Sequence, residues 1–301
     1  MNCYADNFQA CRRIGAGIDF RFHCNCWLLS RIRRYAEMDT SMKMIMLALL
    51  PLLTVLGGCM SALQAAADRR DERIHALANG GNAEAQYHVG MFFNNGMGGM
   101  TRDPRVAFEW FGKAAAGGDA LGAYKVGCYY AGQFPGTVEV DQEKALTHKL
   151  VAAKAGYALA QHDVGIIYFN RKDYLQSERW WKLAGAQGFS PSNNALSTLY
   201  TKDEPGMKNL QLAYARFKLA SRNARNEVSP AAVDSLTRLA EKLPAADLEA
   251  AEKFVDGFVP TPSQLTLDAF NMRKRINTLL IAAQEAKVAA REAKLSAAVV
   301  K

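Results

Sequence analysis

The chain has 301 residues, half of them hydrophobic and 22% charged, so it can bury a continuous core and is not a disordered polymer. Lysine and arginine outnumber aspartate and glutamate by 37 to 29, for a net charge of +8, but the first 58 residues hold 7 of the bases and 4 of the acids. From residue 59 onward the excess is only +5, too small to argue for nucleic acid as a partner.

Residues 1–41 carry no core pattern, and four of the six cysteines (Cys3, Cys11, Cys24 and Cys26) fall there. His23 beside Cys24-Asn-Cys26 lacks the paired C-x-x-C spacing of a zinc site, so no metal is expected. Met42 is a natural start codon, which makes 1–41 a leader upstream of the expected start of translation. Residues 42–58 then read as a signal peptide. Met42-Lys43 is its basic opening, and Met44 to Leu56 is an apolar run well short of the ~20 residues that span a bilayer. Leu56-Gly57-Gly58-Cys59 resembles a bacterial lipobox. That resemblance implies cleavage between Gly58 and Cys59, lipidation of the Cys59 thiol, and anchoring in the cell envelope. Met60, being other than aspartate, implies the outer membrane, with the protein facing the periplasm. Residues 59–72 are expected to be a tether or the first turns of a leading helix. Downstream of Cys59 the single further thiol is Cys128, which excludes a disulfide framework.

From residue 73 one pattern is written three times: Val89-Gly90-x-x-Phe93, Val126-Gly127-x-x-Tyr130 and Val164-Gly165-x-x-Tyr168, with a degenerate fourth copy at Leu196-Ser197-x-x-Tyr200. The copies lie 37, 38 and 32 residues apart. A second block trails each of the first three: Ala107-x-x-Trp110, Ala145-x-x-His148 and Ser177-x-x-Trp180. Periods of this length mark helical solenoids, in which no repeat buries its apolar face alone. Gly90, Gly127 and Gly165 are expected at close helix contacts, with Trp110 and Trp180 packing from the partner helix. Asp103-Pro104 and Asp141 suit helix N-caps, and Gly118, Gly156 and Gly188 suit left-handed helix stops.

Residues 73–223 resemble the Sel-one-like repeat family, relatives of tetratricopeptide repeats with a longer turn inside each helical hairpin. The resemblance rests on the glycine and aromatic motifs, on Asp103-Pro-Arg-Val-Ala-Phe-Glu-Trp110-Phe-Gly-Lys-Ala-Ala115 and on Asp141-Gln-Glu-Lys-Ala145. It implies an all-α, right-handed solenoid of helical hairpins over 73–226, used as a binding scaffold. The third copy shortens its turn, and the fourth replaces the glycine with Ser197.

Ser229-Pro230 and Leu243-Pro244 open two amphipathic helices within 227–258, expected to cap the solenoid through Leu236, Leu239 and Leu243 and through Leu248, Ala251 and Phe254. After Pro260-Thr261-Pro262, the segment 259–301 reads as an amphipathic helical tail with Leu265, Ala269, Met272, Ile276, Leu279 and Ala283 on one stripe. That tail is either packed on the solenoid or free for a partner or a membrane surface.

No H-E-x-x-H, phosphate-binding glycine loop, G-x-S-x-G elbow or S-x-x-K motif is present, so no catalytic residue and no cofactor are expected. A cysteine-rich branch of the family is associated with penicillin binding and β-lactamase activity, but its disulfides and a candidate serine are missing here. A hydrolase is therefore the least favoured reading.

The register of tetratricopeptide relatives puts the first helix of each pair on the concave face. It selects Tyr87, His88 and Met91, then Tyr124, Lys125 and Cys128, then His162, Asp163 and Ile166. Met91, Cys128 and Ile166 would form an apolar stripe, either open to a protein or peptide partner or buried by the next repeat or by the C-terminal tail. The expectation is a lipid-anchored, non-enzymatic envelope adaptor. The alternative is a periplasmic immunity protein against a lipase-type toxin of a type VI secretion system.

Overall fold

The computed structural model describes residues 69–299 apart from 205 and 224, within one compact unit, Ala67–Lys301. The leader, the signal-like run and Cys59 lie outside the described residues. A first helix, α1, covers 69–79. It is followed by α2 (Ala83–Asn95), α3 (Pro104–Ala116), α4 (Ala120–Tyr130), α5 (Gln142–Lys154), α6 (Ala158–Asn170) and α7 (Tyr174–Ala186). Then come α8 (Ser190–Tyr200), α9 (Leu210–Ala220), α10 (Pro230–Ala240), α11 (Ala245–Asp256), α12 (Gln264–Phe270) and α13 (Met272–Val299). The described residues contain no strand, only an isolated bridge between Arg222 and Val228. Helices pair as α2/α3, α4/α5, α6/α7 and α8/α9, and each hairpin packs on the next, so the fold is an all-α repeat solenoid.

Local chemistry explains where the helices begin and end. Asp103 and Asp141 each accept two backbone N–H groups of the following turn, satisfying donors that have no intrahelical partner. Asn82 and Asp119 do the same at α2 and α4, accepting from Ala85 and Gly122. Gly118, Gly156 and Gly188 follow their helices at φ of +90°, +96° and +82°, the left-handed region where a Cβ is costly. The cap position then changes character along the stack. Tyr157 and Phe189 stand where Asn82 and Asp119 stood, and neither side chain makes a capping hydrogen bond.

The repeat glycines sit at the tightest helix contacts. A Cβ on Gly90 would lie 2.6 Å from the Phe111 ring, and one on Gly127 would lie 2.9 Å from the Ala145 carbonyl oxygen. On Gly165 it would collide with the Trp181 indole. The aromatics facing the glycines are thus Phe111 and Trp181, one residue beyond the expected Trp110 and Trp180. Four residues after the small residue, rather than three, is the position that meets the hairpin partner. Trp110 and Trp180 are half-buried beside it. Sequence reading also missed a recurring amide. Gln86, Gln161 and Asn193 donate to the carbonyls of Ala78, Ala153 and Gly185, tying the first, third and fourth hairpins to the helix before each; Ala123 takes this place in the second.

α10 and α11 pack on α9, with Leu236, Ala251 and Val255, in place of the expected Phe254, buried against Tyr214, Ala215 and Leu219. Val255 is fully buried while Phe254 is 38% exposed, carrying the Arg216 guanidinium over its ring. The segment after Phe258 doubles back. Thr261 donates its N–H to Ala186, and Pro260 lies against Gly188. Ser263 bonds the Gly156 carbonyl, while Leu265 and Ala269 pack on the central core. Arg275 reaches Glu84 and Asp119, and Ile276, Leu279 and Leu280 join Ile74, Val89 and Phe92. The tail therefore crosses the solenoid from the third hairpin back to the first. Its far end, including Ile281, Val288 and Leu295, is exposed.

Candidate partner-binding surface

The nine residues assigned to the groove do not share one environment. Tyr87 is buried, its ring against Phe111 on one side and under the Arg275 guanidinium on the other. His88 is fully buried, with its Nε2 3.7 Å from Glu84 and no hydrogen bond to either ring nitrogen. Burial pushes the Glu84 carboxyl up, but His88 and Arg275 outweigh it and hold it below the usual carboxylate range. Met91 is half-buried on the central core.

In the second hairpin Tyr124 donates to Asp163 at 3.1 Å, and the same carboxylate oxygen takes the Lys149 ammonium at 2.6 Å. This joins α4, α5 and α6 through a nearly dry ion pair. Such a pair fixes register more than it adds stability. Cys128 lies beside it and is 2% exposed; burial pushes its thiol pKa up. Lys125 is half-buried, and its ammonium is shifted down by burial. In the third hairpin His162 is half-buried with Nδ1 2.9 Å from the Ser192 hydroxyl, and burial shifts its imidazole down. Ile166 is 39% exposed.

Met91, Cys128 and Ile166 thus share a register but not a surface. The stripe is interrupted at Cys128, because the following hairpin closes over that position. The tail removes more of the same face by covering Tyr87.

One turn of the pattern stays open. On α8 the equivalent positions are Asn194, Ser197, Thr198 and Thr201, and they face a cavity of about 340 Å³ bounded by α9 and α10. Phe217, in the place of Phe111 and Trp181, and Leu239 supply its apolar wall. Arg238 and Lys242 stand on the α10 side, with Ser235 accepting from Arg238 at 3.0 Å. No group of His, Cys, Asp and Glu side chains able to hold a metal occurs among the described residues.

Comparison with known proteins places this geometry. The Sel1 repeat model matches residues 83–119, 120–157 and 158–189, which are α2/α3, α4/α5 and α6/α7 with their turns. A crystal structure of a Sel1 repeat protein from Oxalobacter formigenes is similar at a TM-score of 0.50 and 20% identity, covering 63% of this chain and 79% of that one. A protective antigen of uropathogenic Escherichia coli with an SLR fold is 22% identical over 67% of this chain and 50% of its own, at a TM-score of 0.41. Among curated proteins, chitin synthase regulatory factor 4 of Schizosaccharomyces pombe is 28% identical over 131 residues. That stretch is 43% of this chain and only 20% of the regulatory factor. Three of the four hairpins carry the Sel1 repeat.

Proposed function

We propose that this Sel1-like repeat protein is a non-enzymatic scaffold that binds a protein partner on the part of its first-helix face left uncovered, from Ile166 to the open end at α8. The observation that carries the reading is the stack itself. Three Sel1 repeats, a repeat type suited to protein–protein interaction, extend into a fourth hairpin whose first helix stays accessible. Exposed Ile166 supplies an apolar contact, and Asn194, Thr198 and Thr201 supply polar ones. Interfaces of this mixed kind are anchored by a few apolar side chains inside a polar rim.

The finer reading places the scaffold in a bacterial envelope. Its support is the order Met42-Lys43, apolar run and Leu56-Gly57-Gly58-Cys59, which would deliver Cys59 as a lipidated amino terminus holding the solenoid at a membrane. Membrane fractionation of the Cys59→Ala variant tests this. Release or an unprocessed precursor is expected, and an unchanged, processed and membrane-bound variant overturns the anchor.

The scaffold reading is tested by a photo-crosslinking amino acid at Ile166, at Thr198 and, as control, at Val151, which is exposed on α5. Crosslinks to a defined protein from the first two positions and not the third are expected. Equal labelling at all three overturns the assigned face. A secreted lipase as the crosslinked protein would identify the scaffold as an immunity protein.

A further inference from the structure

The cavity at α8 differs in its chemistry from the same face of the first three hairpins. In the first three hairpins the G−3, G and G+1 positions of the first helix, counted from the repeat glycine, are Tyr87/Gly90/Met91, Tyr124/Gly127/Cys128 and His162/Gly165/Ile166. In the fourth they become Asn194, Ser197 and Thr198, a complete exchange of rings and apolar groups for small polar side chains. Nothing in packing requires that exchange, because Phe217 still occupies the partner helix.

The opposite wall adds two cations. Arg238 on α10 and Lys242, just past the end of that helix, both line the cavity. Neither makes an ion pair among the described residues, and no carboxylate lines the cavity. Some cations of the stack are matched, as at Lys149–Asp163, Lys182–Glu178 and Lys218–Glu252; Arg238 and Lys242 instead share one cavity with no carboxylate in its lining. Two unmatched cations, hydroxyls on the facing helix and an apolar wall together form a receptor for an anion carried on a short hydrocarbon stem. A guanidinium and an ammonium converging on one carboxylate make charge-assisted hydrogen bonds, the stronger kind. About 340 Å³ admits one or two side chains and no folded body.

We propose that the cleft between α8, α9 and α10 is a subsite for acidic side chains of the protein partner, with Arg238 and Lys242 binding a glutamate or aspartate carboxylate and Phe217 and Leu239 taking its methylene stem. This deepens the scaffold reading and rests on it. It places the specificity of the site at the junction of the last hairpin and the cap, not in the middle of the groove.

The test is fluorescence anisotropy with the full chain and an end-capped, fluorescein-labelled hexaglutamate peptide at low salt. Binding that weakens at least tenfold in the Arg238→Gln/Lys242→Gln variant is expected, as is loss in Thr198→Trp, which fills the cleft without changing charge. The matched Arg291→Gln/Lys294→Gln variant, altered on the exposed tail, should bind as the parent does. Equal loss in that control, or undiminished binding by the α10 variant, overturns the subsite. If hexaglutamate fails while Ile166 crosslinks persist, the subsite falls and the scaffold reading stands; if both fail, both fall.

Discussion

The second and fourth hairpins are built on one register and end as opposites. In α4/α5 the glycine of the pattern admits the partner helix to van der Waals contact, and the residue after it, Cys128, is sealed by the next hairpin. In α8/α9 the glycine is Ser197, the residue after it is Thr198, and the next helix leaves a cleft. The contrast teaches that a repeat motif specifies the contact inside a hairpin more firmly than the contact between hairpins. Whether the first-helix face is a core or a surface depends on the element that comes next in the chain.

The sharpest way to break this comparison is chemical labelling. Cys128 should resist maleimide until global unfolding, so its rate in the folded protein should fall on the order of a thousandfold or more below that of the denatured chain. Burial also raises its pKa and lowers the thiolate fraction. A cysteine introduced at Thr198 should label at the rate of an exposed thiol. Fast labelling at Cys128 would reopen the groove in the second hairpin.

Substitution at the glycines comes next in size. Gly127→Leu must push α4 and α5 apart and should cost roughly 1–3 kcal/mol or more, read as a fall in denaturation midpoint. Gly112 lies on α3 with nothing within 4 Å of a built Cβ, so Gly112→Ala should be neutral or stabilising by up to about 1 kcal/mol. Similar losses at both would remove the close-contact role.

The tail supplies a smaller effect. α6 lacks a cap of its own because Tyr157 occupies the N-cap position, and the Thr266 hydroxyl bonds the Ala158 N–H at 2.9 Å in its stead. Thr266→Val keeps the shape and deletes the bond, so it should cost about 1 kcal/mol, the usual worth of a cap. No change in chemical denaturation would mean that water replaces the hydroxyl freely.

The smallest effect is a pH slope at the cap. Burial raises the Glu252 carboxyl, but hydrogen bonds from Lys218 and Tyr214 outweigh it and leave the pKa below the ordinary 4.5. A carboxyl depressed in the folded state contributes stability that is fully present above its unfolded pKa and is lost as pH falls through the folded value. Stability should therefore decline below about pH 4.5. Glu252→Gln should flatten that part of the profile, as measured by thermal melts across the acid range.

Much of the fold was legible because its determinants are local. Gly118, Gly156 and Gly188 announce left-handed stops, Asp103 and Asp141 announce caps, and the spacing of Gly90, Gly127 and Gly165 announces the stack. The tail stripe from Leu265 to Leu279 was legible as amphipathic. Its docking was not, since Thr266 and Ala158 are 108 residues apart and nothing near either names the other. The aromatic partners were misplaced by one residue because Trp110-Phe111 and Trp180-Trp181 offer two rings at adjacent positions, and only the hairpin geometry decides between them. The sequence left Cys128 undecided because a small apolar side chain suits a buried seam and an open face equally well. The cleft at α8 was hidden by the degeneracy of the fourth copy. Its departure from the motif at Ser197 was the available signal.

The change from Asn82 and Asp119 to Tyr157 and Phe189 at the cap position also bears on biosynthesis. The first two hairpins can start their leading helices with residues already present when those helices leave the ribosome. The third cannot, because the hydroxyl that completes its first turn arrives only once residue 266 has been made. Ile276 and Leu280 likewise reach Ile74 only when nearly the whole chain is available. Products truncated before residue 266 should therefore carry a third repeat whose first helix is less firmly started, by about the worth of one cap.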